Sequence, residues 1–176
     1  MIFTPCKAAG AFLIEIEKMG DHRGYLGRSF CVKEFEEYGL NPTVVQCNVS
    51  FAPKKGTLRG IHFQSPPGEE DKLVRCTQGA IHDVLLDLRK KSPTYLLWEA
   101  YELNADNGRM LYIPKGFAHG FQTLKDNTTV FYEMSEYYAP QCATGVLWND
   151  PAFQINWPLS DPIMSDKDRS FKPFVP

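Results

Sequence analysis

The sequence predicts an all-β fold, a sandwich or barrel with a few short peripheral helices, on three observations. Short segments rich in Val, Ile, Leu, Phe and Tyr are separated by Gly, Pro, Asn and Asp at intervals of about ten residues. Side chains from Val44 to Phe51 alternate, with Gln46, Asn48 and Ser50 on one face and Val45, Cys47, Val49 and Phe51 on the other. Helix signals are confined to two places. Taken in order, Ala8 to Ile14 reads as a first strand, since the charged Glu15, Glu17 and Lys18 follow it at once and it is too short for a leader or a membrane span. Val32 to Tyr38 reads as a short surface helix closed by Gly39. Gln64 to Gly68 is a Pro-rich loop and the longest linker, and Ser165 caps one helical turn from Asp166 to Ser170.

The chain has 176 residues, 43% hydrophobic, 13% aromatic and 23% charged, which suits one domain spanning 1–176. A chain of this length removes roughly 70% of its unfolded surface from water, so a core forms without disulfides or a structural metal. Nineteen Lys and Arg against 21 Asp and Glu give a net charge of -2, with no basic stretch to follow a nucleic-acid backbone. Nucleic acid and membrane are therefore not expected partners. Five widely spaced cysteines without a C-x-x-C pair argue against a disulfide framework or a thiolate zinc site and point to a reducing cytoplasm.

The amide-lined face of the Val44 to Phe51 strand reads either as a solvated sheet surface or as the wall of a polar pocket. Four histidines are present, and two have similar company: His62 in Gly56-Thr57-Leu58-Arg59-Gly60-Ile61-His62, and His119 in Pro114-Lys115-Gly116-Phe117-Ala118-His119. These spacings resemble the two signatures of the cupins and so imply a double-stranded β-helix, the jelly-roll barrel. Metal-binding cupins carry a further histidine two residues after the first; Gln64 stands there, so no metal or other cofactor is expected. His22 and His82 read as ordinary structural histidines.

Longer motifs narrow the resemblance. Asp21-His22-Arg23-Gly24, Gln46-Cys47-Asn48-Val49-Ser50, Leu58 to Gln64, Lys72-Leu73-Val74-Arg75, Asp83 to Arg89, Ile113 to Phe121, Tyr137-Tyr138-Ala139-Pro140 and Trp148-Asn149-Asp150-Pro151 occur in the order found in the dTDP-4-dehydrorhamnose 3,5-epimerases. The similarity runs from about Asp21 to Asp168. It implies an isomerase, usually a homodimer, that acts on a nucleoside-diphosphate 4-keto-6-deoxyhexose. A C4 ketone acidifies the hydrogens on C3 and C5, because the carbanion delocalises into the carbonyl as an enolate. A base on one face of the ring, an acid on the other and a donor for the enolate oxygen then suffice. No Gly-x-Gly-x-x-Gly fingerprint or P-loop is present.

The resemblance assigns His62 as the base, oriented by Asp168; imidazole, with an ordinary pKa of about 6.5, exchanges protons near neutrality. It assigns Lys72 to the enolate oxygen and Tyr132 as the acid on the far face. Arg23 and Arg59 would grip the diphosphate. Gln46, Asn48, Asp83, His119, Tyr138 and Lys167 would complete substrate binding. Arg59 and His62 have opposite strand parity, so both reach one pocket only if the strand is irregular between them, where Gly60 tolerates a bulge. Two departures fall in what would be the substrate-binding region: Arg28, itself a substrate-binding candidate, and Ala143 occupy positions where the rhamnose-pathway enzymes commonly carry glutamate, which should alter which base, ribose or sugar is held. Two other classes compete: a metal-dependent cupin oxygenase or isomerase with His62 and His119 as ligands, and a cupin that only binds a sugar.

Overall fold

The computed structural model describes residues 1–175. In chain order its strands are β1 (Ile2–Pro5), β2 (Phe12–Glu15), β3 (Met19–Asp21), β4 (Gly24–Leu26), β5 (Gln46–Ala52), β6 (Leu58–Gln64), β7 (Lys72–Gln78), β8 (Ala80–Asp87), β9 (Trp98–Asn104), β10 (Arg109–Ile113), β11 (Phe117–Thr123), β12 (Thr128–Met134) and β13 (Ala143–Gly145). Helices are short: α1 (Val32–Glu37) and α2 (Asp166–Arg169). A six-stranded sheet in the order β1-β2-β10-β7-β12-β5 faces a five-stranded sheet in the order β13-β6-β11-β8-β9, while β3 and β4 form a separate ribbon. This is the jelly-roll barrel that the sequence led us to expect.

Strand alternation decides what fills the space between the sheets. On β7, β12, β8 and β11 the inward positions hold Val74 and Cys76, Val130, Ile81 and Leu85, and Phe117 and Phe121, which form the central core with Leu103 and Leu111. Continuing along the same faces, the inward residues become polar: Lys72 on β7, Tyr132 on β12, His119 on β11, and Gln46 and Asn48 on β5. One end of the barrel is thus sealed by apolar packing and the other is open chemistry. Outside, α1 covers the six-stranded sheet through Phe35, packed with Phe3, Ile14 and Tyr112. The C-terminal segment covers the other sheet through Phe153 and Trp157 against Ile61 and Leu86.

Both helices follow their sequence signals. Gly39, at φ +69°, donates its N–H to Glu36 and closes α1. The Ser165 hydroxyl accepts from the Asp168 N–H at 3.1 Å and starts α2. The expected first strand is corrected. Ile2–Pro5 comes first and pairs with Phe12–Glu15, so much of Ala8 to Ile14 is the connecting turn, closed by Ala11 N–H to Ala8 C=O. Ala8 and Ala11 are buried there because the turn packs against the barrel end, and an apolar run alone does not distinguish a buried turn from a strand.

That turn is fastened by a buried polar hub. Asp87 is wholly buried and accepts from Arg89 Nε and Nη2, both at 2.8 Å, and from Thr94 Oγ1 at 2.7 Å; Arg89 also donates to the Ala9 carbonyl and lies over the Phe117 ring. Burial alone would raise the Asp87 carboxyl, but these donors outweigh it and hold it below its ordinary value of 3.8. Its contribution is therefore complete above that value and disappears as pH falls through the depressed one. Asp87→Ala should cost about 3 kcal/mol at neutral pH, because it removes the guanidinium's partner, and the gap to the unsubstituted protein should narrow as pH falls below 3.8. Urea midpoints across pH check both parts.

Candidate active site

The polar end of the barrel encloses a cavity of about 510 Å³, the size of a small-molecule pocket. Three elements on one side supply Gln46, Asn48 and Ser50 (β5), Lys72 (β7) and Tyr132 (β12). Opposite them stand Arg59, His62 and Gln64 (β6) and His119 (β11), with Tyr138, Lys167 and Asp168 arriving from the segments beyond. The amide-lined face of the β5 strand is therefore pocket wall, and its apolar face, with Val49 and Phe51, is the one exposed to solvent.

Arg59 and His62 both line the cavity because β6 carries the expected bulge. His119 pairs with His62 but Phe121 pairs with Arg59, so β6 has one residue more than β11 between the two pairs. Gly60 makes this possible: its φ is +113°, and a Cβ there would lie 2.7 Å from both the Gly120 Cα and the His119 carbonyl oxygen. The bulge also turns the Gly60 N–H toward Asp168, which accepts it at 3.2 Å.

Asp168, largely buried, accepts from His62 Nε2 at 2.7 Å through its other oxygen. Burial would raise its carboxyl, yet the bonds from His62, the Gly60 N–H and Ser165 prevail and keep it below the usual carboxylate range. An ionised carboxylate on Nε2 holds the proton there and leaves Nδ1 as the nitrogen with a free lone pair, the tautomer a general base requires. A second pair repeats the pattern: His119 Nε2 lies 2.7 Å from Asp83, which is fully buried.

Tyr132 faces these histidines from the other sheet. Burial pushes its phenol above its ordinary value, with Arg59 acting against this and Glu70 and Tyr138 with it. The group is a protonated phenol over the neutral range, as an acid must be. The Lys72 ammonium lies in the same cavity, 2.8 Å from Glu70. Gln46 and Asn48 are already engaged with their surroundings. Gln46 Nε2 donates to Asn48 Oδ1 at 3.2 Å, and Gln46 Oε1 accepts from the Tyr138 N–H at 3.1 Å, tethering that aromatic to the rim.

Of the residues anticipated from sequence, ten line this cavity: His62, Tyr132, Lys72, Asp168, Gln46, Asn48, Arg59, His119, Tyr138 and Lys167. Three do not. Asp83 sits behind His119 and touches the cavity only through it. Arg23 is 79% exposed on the β3–β4 ribbon and paired with Asp21, and Arg28 is paired with Glu34 beyond it, so neither reaches the cavity of its own chain. Sequence reading passed over Glu70 and Ser165, and noted Gln64 only for the histidine it replaces. Glu70 shares strand parity with Lys72, which was the available signal, but it lies before the strand begins.

The residues present do not fit a divalent metal. His62 and His119 each keep one ring nitrogen free beside the one bonded to a carboxylate, but no third donor joins them, because the Gln64 amide is occupied by the backbone of Gly68, Tyr137 and Ala139. Among the described residues no group of three His, Cys, Asp or Glu is arranged to hold an ion.

A jelly-roll barrel with a carboxylate-oriented imidazole facing a protonated phenol defines an acid–base isomerase of the cupin type. Comparison with known proteins agrees. The chain matches the family model described as dTDP-4-dehydrorhamnose 3,5-epimerase over residues 5–175. It is 46% identical over 176 residues to an enzyme of that name from Methanothermobacter thermautotrophicus, covering 97% of this chain and 93% of that one. To the namesake from Sinorhizobium fredii it is 43% identical over 171 residues, covering 97% and 88%. Among solved structures, the Bacillus anthracis enzyme with TDP and PPi bound superposes with a TM-score of 0.95 at 46% identity, covering 98% and 99%. ChmJ, a 3'-monoepimerase from Streptomyces bikiniensis in complex with dTDP-quinovose, gives 0.89 at 33% identity, covering 96% and 86%. The chain belongs to the dTDP-4-dehydrorhamnose 3,5-epimerase family.

Proposed function

We propose that the protein inverts C3, C5 or both in a nucleoside-diphosphate 4-keto-6-deoxyhexose by proton transfer alone. The observation that carries this is the His62–Asp168 pair on one wall of a cavity whose other wall presents Tyr132 and Lys72. His62 Nδ1 takes the hydrogen from the ring carbon as a proton. The C–H electron pair becomes the carbon–carbon double bond of an enolate, and the former C4 carbonyl oxygen takes the negative charge beside the Lys72 ammonium. Tyr132 then returns a proton to the opposite face as the carbonyl re-forms, and Arg59 stands near the phenolate that results. Solvent resets both side chains. Arg59 and Lys167 supply cations for the diphosphate, and Tyr138 a platform for the base.

A dTDP-sugar is the favoured substrate class, because relatives carry that name and solved neighbours hold TDP, dTDP-quinovose or, in the Legionella pneumophila enzyme, dTDP-4-keto-L-rhamnose. Incubation with dTDP-, CDP- and GDP-linked 4-keto-6-deoxyhexoses in deuterated water, followed by NMR, tests reaction and nucleotide together. Deuterium at C3 or C5 with the dTDP sugar is expected; binding without any exchange would leave only a sugar-binding cupin. Five free thiols suit a reducing compartment, and we place the reaction in the cytoplasm.

The remaining arginines fit a homodimer. Met19, Tyr25 and Leu26 are 66%, 55% and 72% exposed on the β3–β4 ribbon, an apolar surface that a second copy would cover, bringing Arg23 to the partner's cavity. Sedimentation should give twice the 20.0 kDa chain mass. Leu26→Asp should halve it and raise KM.

A further inference from the structure

Glu70 belongs to neither histidine pair and was not anticipated, yet it lines the same cavity. Its side chain is 4% exposed, its Oε1 lies 2.8 Å from Lys72 Nζ, and its Oε2 is buried without a hydrogen-bond partner. A buried charge is tolerated when an opposite charge accompanies it, and among the described residues Lys72 has no other ion-pair partner. The backbone that carries the pair is rigidly held. Between the two residues, Asp71 accepts from the Lys115 N–H at 3.0 Å, Asn41 Nδ2 at 2.9 Å and the Ser135 hydroxyl at 3.0 Å. Neither end of the ion pair is therefore free to wander.

An ammonium on four methylene groups has many rotamers, and one that must meet a developing enolate oxygen acts only if its position is set beforehand. A carboxylate tucked against it on an anchored segment sets that position. We propose that Glu70 is a positioning residue for the epimerisation, fixing the Lys72 ammonium beside the sugar carbonyl through their buried ion pair. The idea rests on the enolate role given to Lys72 above. Because Lys72 assists most where charge develops, loss of Glu70 should lower turnover and leave substrate binding largely alone.

The test is a double-mutant cycle on Glu70→Gln and Lys72→Met, read by deuterium incorporation and net inversion with dTDP-linked 4-keto-6-deoxyglucose, with thermal melting to confirm folding. Glu70→Gln should lower kcat about tenfold or more with KM unchanged, and should have no further effect in the Lys72→Met background. If Glu70→Gln does not fold, Glu70→Asp, which retracts the carboxylate by one methylene, should show the same split between kcat and KM. Full turnover in these Glu70 variants, or an equal loss with and without Lys72, overturns the positioning role while leaving the reaction scheme standing. Undiminished exchange in Lys72→Met overturns the enolate assignment itself, and the Glu70 proposal with it.

Discussion

Replacing His62 with asparagine should abolish deuterium uptake at both C3 and C5, a loss of at least about 10³-fold in exchange. Asparagine fills similar space and can still donate to Asp168, so the barrel should melt as before, but no lone pair of sufficient basicity remains to take a carbon-bound proton. The size of the effect follows from where His62 stands in the sequence of events: without the first abstraction there is no enolate for any other group to act on. Exchange by NMR in deuterated water reads this directly, and exchange persisting at the original rate would reassign the base to another cavity residue, with His119 the first to examine.

Tyr132→Phe should behave differently in kind. In the proposed scheme the phenol acts after the enolate has formed, so the variant should still exchange solvent deuterium, since His62 can return a deuteron to the face it came from. Net inversion should fall about 10²-fold, because nothing on the opposite wall then donates. Exchange measured alongside product configuration separates the two steps. Undiminished inversion would mean that a different group on that wall, or an ordered water, delivers the proton. The pair of results would establish which wall begins the reaction.

The barrel was legible because its evidence is periodic. Alternation in the strand around Gln46 to Ser50 and the regular spacing of turn residues survive in any sequence whose sheets have one inward face. Gly60 was legible for a related reason: two functional residues of opposite parity on one strand require an extra residue between them, and only a few residue types permit it. What could not be read is what depends on meetings between distant segments. The Asp168 contact with His62 spans 106 residues, and periodicity says nothing about it; the resemblance supplied it. Only strand parity with Lys72 separates Glu70 from the neighbouring Glu69 and Asp71, and parity has little force ahead of the strand, although Glu70 lines the cavity and Asp71 anchors a loop. Arg23 and Arg28 were assigned to substrate by motif position, and a single chain leaves them at the surface because the ribbon that carries them projects from the barrel.

The extra residue in β6 has one more effect. Because of it Arg59 and His62 stand opposite Phe121 and His119, two positions apart on β11, roughly 7 Å along the sheet. In the proposed scheme the cation for the diphosphate and the proton-abstracting nitrogen are thereby mounted on a single ruler. On that scheme a ligand is aligned for reaction when the span from its charged group to its acidic carbon matches that ruler, so the barrel would gauge the length of the molecule it receives before any chemistry begins.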